Sequence, residues 1–162
     1  MRAASVHQRH LAAPVADLGA LIDTLASPDD RLWPHRTWPA MRFDGPLGVG
    51  AAGGHAFVRY HVEDYRPGSS VVFRITGPRG FSGTHRFDAG SDGDGAVLTH
   101  TIDGAASLRF AMPWFMVVRP LHDALIEDAL DNAEREATGT VAGPARWSWW
   151  VRMLRRLLGP KR

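Results

Sequence analysis

Residues 58–103 read VRYHVEDYRPGSSVVFRITGPRGFSGTHRFDAGSDGDGAVLTHTID, and their period of two decides the fold. Val58, Tyr60 and Val62 alternate with Arg59, His61 and Glu63. Val71, Phe73 and Ile75 alternate with Val72, Arg74 and Thr76, and Phe81, Gly83, His85 and Phe87 with Ser82, Thr84, Arg86 and Asp88. Leu98, His100 and Ile102 complete the set against Thr99, Thr101 and Asp103. Successive side chains of a strand point to opposite faces, so each run has one buried face and one wet face. Pro-Gly, Gly-Pro and Asp-Gly pairs between the runs predict an antiparallel meander.

Upstream, Ser5 to Leu11 reads as a first strand, and Pro14 suits the first position of a helix carrying Val15, Leu18, Leu21, Ile22 and Leu25. Ser27-Pro28-Asp29-Asp30 has the composition of a second helix start, cut short by Pro34 and Pro39. Downstream, Trp114, Val118, Leu121, Leu125, Ala129 and Ala133 form one helical stripe, with Glu127, Asp128, Asp131, Glu134, Arg135 and Glu136 mostly off it. Pro120 predicts a kink or restart near Arg119. The predicted class is therefore α+β, a curved antiparallel sheet wrapped around a long C-terminal helix, with two short helices after the first strand. A curved sheet whose concavity the helix does not fill leaves an apolar cavity.

At 162 residues, 44% apolar and 22% charged, the chain suits one folded domain. It has no cysteine, which removes thiolate chemistry and sulfur-based zinc sites. Residues 1–145 hold 13 basic and 17 acidic residues, net −4, whereas six of the 19 basic residues fall after Pro144 with no acid among them. A nucleic-acid reader carries its positive charge on the folded body, so nucleic acid is not an expected partner. The N-terminal stretch lacks a continuous apolar run and no segment reaches 18 apolar residues, so the expected location is cytoplasmic, with peripheral membrane attachment by the tail.

Taken together, the chain resembles the SRPBCC superfamily, also called START-like or Bet v 1-like, and within it the bacterial polyketide cyclase/dehydrase and lipid-transport branch. The resemblance runs from Val6 to Glu136 and rests on the order of elements and three segments. These are Leu32-Trp33-Pro34 with Trp38-Pro39, the run Gly95-Ala96-Val97-Leu98-Thr99-His100-Thr101, and Arg119-Pro120-Leu121-His122-Asp123-Ala124-Leu125-Ile126. It implies the helix-grip fold and a cavity for a hydrophobic ligand, without naming the ligand. The expected organisation is a ligand-binding domain at 1–138, a linker at 139–145, and a basic Trp-rich helix at 146–162.

Candidate cavity residues are Tyr60, Val62, Phe73, Ile75, Phe87, Leu98, Ile102, Trp114, Val118, Leu121 and Leu125. His85 and His100 share their inward face, and an Asp92-Gly93 turn would set them directly opposite each other. With Tyr60 they are the candidate acid–base groups; bonding to each other, to Tyr60 or to a buried water is the structural alternative. His55 and His61 are expected on the solvent side with Arg59 and Glu63, and His122 at the rim of the last helix. No metal ligand set and no cofactor is read. Gly48-Val49-Gly50-Ala51-Ala52-Gly53 has the spacing of a dinucleotide fingerprint, but a strand follows it where that motif needs a helix, so it reads as a hairpin loop.

On a helical wheel Trp147, Trp150, Val151, Leu154, Leu157 and Leu158 share one face, and Arg152, Arg155 and Arg156 lie opposite. Trp147, Trp150, Leu154, Leu158, Arg152, Arg155 and Arg156 are the candidate membrane-surface residues. Docking on the chain's own body or on a second copy is the alternative. The leading functional expectation is binding or transport of a lipid, isoprenoid or aromatic metabolite. The alternatives are a cyclase/dehydratase using the cavity histidines and an adaptor that recruits a protein through its tail.

Overall fold

The computed structural model describes residues 1–158. Strand β1 (Arg2–Leu11) leads through helix α1 (Val15–Asp23) to short strands β2 (Arg42–Phe43) and β3 (Ala52–His55). The meander follows as β4 (Val58–Arg66), β5 (Ser70–Gly77), β6 (Phe81–Asp92) and β7 (Gly95–Ala106). Helix α2 (Leu108–Pro113), a π-helical segment (Trp114–Val118) and helix α3 (Arg119–Thr138) continue one another, and helix α4 (Trp149–Leu158) closes the described chain. The seven strands form one antiparallel sheet in the order β1-β7-β6-β5-β4-β3-β2. This is the helix-grip α+β architecture, a curved sheet around a long C-terminal helix.

A bulge in β4 shapes the sheet locally. Val62 pairs with Phe73 and Asp64 with Val72, which leaves Glu63 as the extra residue. Such an insertion adds twist and exchanges the faces beyond it. Tyr65 is thereby turned toward α1, where its hydroxyl donates to Asp23 at 2.8 Å. The same carboxylate accepts the Gly68 N–H, and the hairpin then lies so close to α1 that a Cβ on Gly19 would meet the Gly68 carbonyl oxygen at 2.0 Å.

Two apolar clusters line the concave side. The larger joins Leu18 and Ile22 of α1 and Trp33 to Val62, Phe73, Phe87 and Leu98 of the sheet and to Leu125, Ile126 and Leu130 of α3. The smaller holds Ile75, Phe81, Ile102 and Trp114, with Val118 packed against it.

The second short helix expected from Ser27 is a run of turns instead. Asp30 accounts for this: its carboxylate accepts the backbone N–H of Ala26, Leu32 and Trp33, bonds that compete with a helical ladder. The glycine-rich segment at 48–53 is a loop that runs into β3, with no helix after it. The long helix restarts at Arg119 with Pro120 in its first turn. No helix among the described residues is long and apolar enough to cross a membrane.

Candidate functional site

The sheet's period of two sends one histidine from each of several strands onto the concave face. The β6–β7 turn is Gly93-Asp94 rather than Asp92-Gly93, because Asp92 pairs with Gly95. His85 therefore faces Ile102, and His100 faces Phe87, two pairs further along. The two imidazoles are diagonal neighbours on one face, with ring centroids 5.7 Å apart.

His55 and His122 join them, against expectation. The β3–β4 hairpin has two loop residues, Ala56 and Phe57, so His55 pairs with Val58 and falls on the face of Tyr60 rather than that of His61. His55 Nδ1 lies 3.0 Å from the Tyr60 hydroxyl, and its ring packs 4.8 Å from Trp33. His122, expected at a rim, turns inward with its ring 5.0 Å from that of His100. The result is a row of rings, Trp33–His55–Tyr60–His85–His100–His122–His7, crossing the concave face from β3 to the β1 edge, with neighbouring centroids 4.7 to 6.4 Å apart. Phe73 stacks on His85 at 4.6 Å, and Phe87 meets His100 edge-on at 4.6 Å.

Four nitrogens in this row are enclosed and have no hydrogen-bond partner among the described residues: His85 Nε2, both nitrogens of His100, and His122 Nδ1. A buried polar atom without a partner costs about 1–3 kcal/mol, and native cores rarely leave one unserved. Burial holds His85 and His100 well below the usual imidazole pKa, reinforced by the imidazoles around them. Burial likewise pushes His55 down to about 3 and raises Tyr60 above the ordinary phenol value. Near neutral pH the centre of the row thus carries uncharged rings, each offering one donor and one acceptor nitrogen.

The candidate cavity residues divide between the clusters. Tyr60, Val62, Phe73, Phe87, Leu98 and Leu125 lie in the larger, with Leu121 packed against it, and Ile75, Ile102, Trp114 and Val118 in the smaller. His85 links the two, since it stacks on Phe73 and faces Ile102. A surface groove of about 730 Å³ lies elsewhere, between the turn at 33–37, the far half of α3 and residues 145–152. Its lining is mixed, with His35, Arg36, Asp128, Asn132 and Arg146 beside Trp33 and Trp147.

The acids of α3, read as an outward face, are in part a buried seam. Ser5, His7 and Arg9 alternate along β1 and meet Asp123, Glu127, Asp131 and Glu134 of α3. Ser5 and His7 bond Asp123, and His7 Nδ1 approaches Glu127 at 2.7 Å. Arg9 reaches Glu127 at 3.3 Å, Asp131 at 3.0 Å, and Glu134. The bond to Asp123 raises the His7 pKa against burial, with Glu127 adding to it. Burial works to raise Asp123, but the neighbouring His122 and His7 imidazoles outweigh it and hold that carboxyl below the ordinary carboxylate range. The signal was present in β1, whose polar Ser5, His7 and Arg9 share one face, and in acids spaced one helical turn apart at 123, 127 and 131.

Helix α4 docks on the body. Trp147 Nε1 and Trp38 Nε1 both donate to Asp128, and the Arg155 guanidinium lies 4.1 Å from the centre of each indole ring. Val151 and Leu154 are buried. Trp150 Nε1 donates to the Met116 carbonyl at 2.7 Å, the oxygen that Pro120, having no N–H, cannot serve four residues on. Leu158, Arg152 and Arg156 remain exposed, as does Trp149. Positions 159–162 of the expected tail helix lie outside the described residues.

No family model matches the chain, and no curated protein does. Solved structures do match. A Thermobifida fusca protein determined by NMR in solution has a TM-score of 0.63 at 17% identity, over 90% of this chain and 99% of that one. The di-domain ARO/CYC BexL of the BE-7585A biosynthetic pathway has 0.63 at 13% identity, over 85% of this chain and 50% of its own. Norcoclaurine synthase from Thalictrum flavum has 0.63 at 14% identity, over 83% and 86%. At these identities the likeness is one of fold, the helix-grip α+β fold.

Proposed function

We propose that the protein binds a small, largely apolar molecule bearing hydroxyl or carbonyl oxygens on the concave face of its sheet. The observation that carries this reading is the set of enclosed, unpartnered nitrogens on His85 and His100. Neutral imidazoles suit a phenol, enol or ketone oxygen, and Phe73, Phe87 and Leu98 suit the rest of an aromatic or isoprenoid skeleton. The fold is one whose solved members include ARO/CYC proteins of biosynthetic pathways, which supports a small-molecule reading. Access runs under the α2–π segment, where α2 has no buried residue and the π turn only Trp114. Segments with few buried apolar groups open at low cost. The test is displacement of a polarity-sensitive naphthalene fluorophore by naphthols and long-chain alcohols. Saturable binding that weakens at least tenfold in His85→Phe/His100→Phe supports the reading; fluorophore binding that the double variant leaves unchanged contradicts it.

A cyclase or dehydratase activity is the second reading, favoured by the Tyr60 hydroxyl held 3.0 Å from His55 Nδ1 beside His85. It expects His85→Gln/His100→Gln to abolish turnover while the ligand still binds. Turnover that survives removes these groups from the chemistry.

We also propose peripheral membrane attachment through a surface that keeps only the exposed end of the tail's apolar face, most of which docks on the body. Leu108, Met112, Phe115 and Met116 are exposed on the α2–π segment, and Trp149 and Leu157 on α4, with Arg152 and Arg156 exposed beside them. Apolar side chains flanked by arginines fit an anionic lipid surface. The triple variant Trp149→Ser/Arg152→Ser/Arg156→Ser should cosediment with phosphatidylglycerol vesicles at least fivefold less than the unaltered chain. Equal retention by both, or no retention of either, removes the membrane from the account.

A further inference from the structure

We propose that His7 Nε2, His122 Nδ1 and Asp123 Oδ1 form a binding site for one divalent metal ion of the zinc class. One ligand atom from each of the three residues lies within 4.8 Å of the others. His7 Nε2 is 3.1 Å and His122 Nδ1 3.6 Å from Asp123 Oδ1. Bonds of about 2.0–2.2 Å in a tetrahedral site set ligand atoms roughly 3.3 Å apart, so these spacings fit with little movement. Two imidazole nitrogens and a carboxylate are the donors of an open zinc site.

Three surrounding features strengthen the assignment. His122 Nδ1 is enclosed and unpartnered, although it points at a carboxylate just beyond bonding distance. Glu127 takes His7 Nδ1 at 2.7 Å, the outer carboxylate that orients a metal-bound imidazole and leaves Nε2 for the ion. Ser5 Oγ stands 3.0 Å from His7 Nε2 and 3.1 Å from Asp123 Oδ1, where it would hold a water on the fourth position. Ser5, His7 and Glu127 also have the spacing of a serine–histidine–acid relay. Asp123 argues against that use, because its Oδ1 bonds both the serine hydroxyl and the imidazole nitrogen that would have to act as base.

The site is separate from the ligand reading above and is tested on the full chain after removal of metal with a chelator. Calorimetric titration with zinc chloride should show one saturable equivalent. In imidazole nitrogen NMR spectra, His7 and His122 should shift on loading while His61, on the convex face, does not. His122→Gln should weaken binding at least tenfold, and Glu127→Gln, which removes only the outer support, about tenfold. If His122→Gln fails to fold, the resonances of the unaltered protein decide. Absence of a saturable equivalent, or zinc binding that leaves the His7 and His122 rings unmoved, overturns the proposal.

Discussion

With a chelator present, stability to urea falls with increasing steepness as pH drops from 6.5 to 5, the three buried imidazoles His55, His85 and His100 together approaching about 4 kcal/mol per pH unit toward pH 5. An unfolded imidazole takes up a proton near pH 6.5, whereas His55, His85 and His100 stay neutral inside the fold because burial depresses their pKa values. Below about pH 6.5 the unfolded chain thus binds more protons, and each such group removes about 1.4 kcal/mol per pH unit. The contribution of these groups is complete above 6.5 and is lost as pH falls toward their folded values. His7 works in the opposite sense. Its raised pKa gives stability that is complete below about 6.5 and is lost as pH rises through the folded value, so it trims the acid loss. In His85→Phe/His100→Phe the slope should drop to about half, since His55 and His122, whose pKa burial also lowers, remain of four such groups. Comparing slopes rather than absolute stabilities cancels the packing cost of the larger rings. A double variant with the slope of the unaltered protein would show that these imidazoles are not held neutral.

Arg9→Ala should cost about 3 kcal/mol or more in the same unfolding measurement at pH 7. The substitution takes the cation from Asp131 and Glu134, whose side chains are only 9% and 11% exposed, and leaves them buried beside Glu127. Removing one partner of a buried ion cluster is among the costlier single changes, because the remaining charges have lost their solvent and gained nothing. The loss reaches beyond the seam. Glu134 also accepts the Ala142 N–H and Asp131 the Ala145 N–H, so the acids facing Arg9 pin the connection to α4. Arg74→Ala is the matched control, because its pair with Glu63 is exposed and should be worth less than about 1 kcal/mol. Equal costs for the two variants would mean that the seam behaves like an ordinary surface pair.

The four meander strands and the inward side of the sheet follow from alternation alone, and alternation is local. What depended on the turns was less legible. A shift of one residue in the β6–β7 turn moved His85 from His100 to Ile102 without changing its face, since both registers preserve parity. The two-residue loop after His55 did change the outcome, because it pairs odd positions of β3 with even positions of β4. His55 therefore left the solvent side and bonded Tyr60. The α3 acids misled for a different reason. Charge on a helix ordinarily marks the wet face, and only the partner strand, more than 110 residues away, carries the cation that makes burial tolerable. The tail's amphipathic face was plain in the residues, but amphipathicity states that a face will be covered, not by what. In the structure Asp128 and Trp38 hold much of that face against the body.

The account rests on the unserved nitrogens of His85 and His100, which imply a polar occupant of the concave face. Native mass spectrometry of the protein as isolated, followed by solvent extraction, addresses this directly. The expected result is a bound species of a few hundred daltons, within the range of drug-sized ligands, that carries at least one hydroxyl or carbonyl and is missing from His85→Phe/His100→Phe. A mass equal to the bare chain, together with ordered water filling the row in a crystal structure, would contradict it.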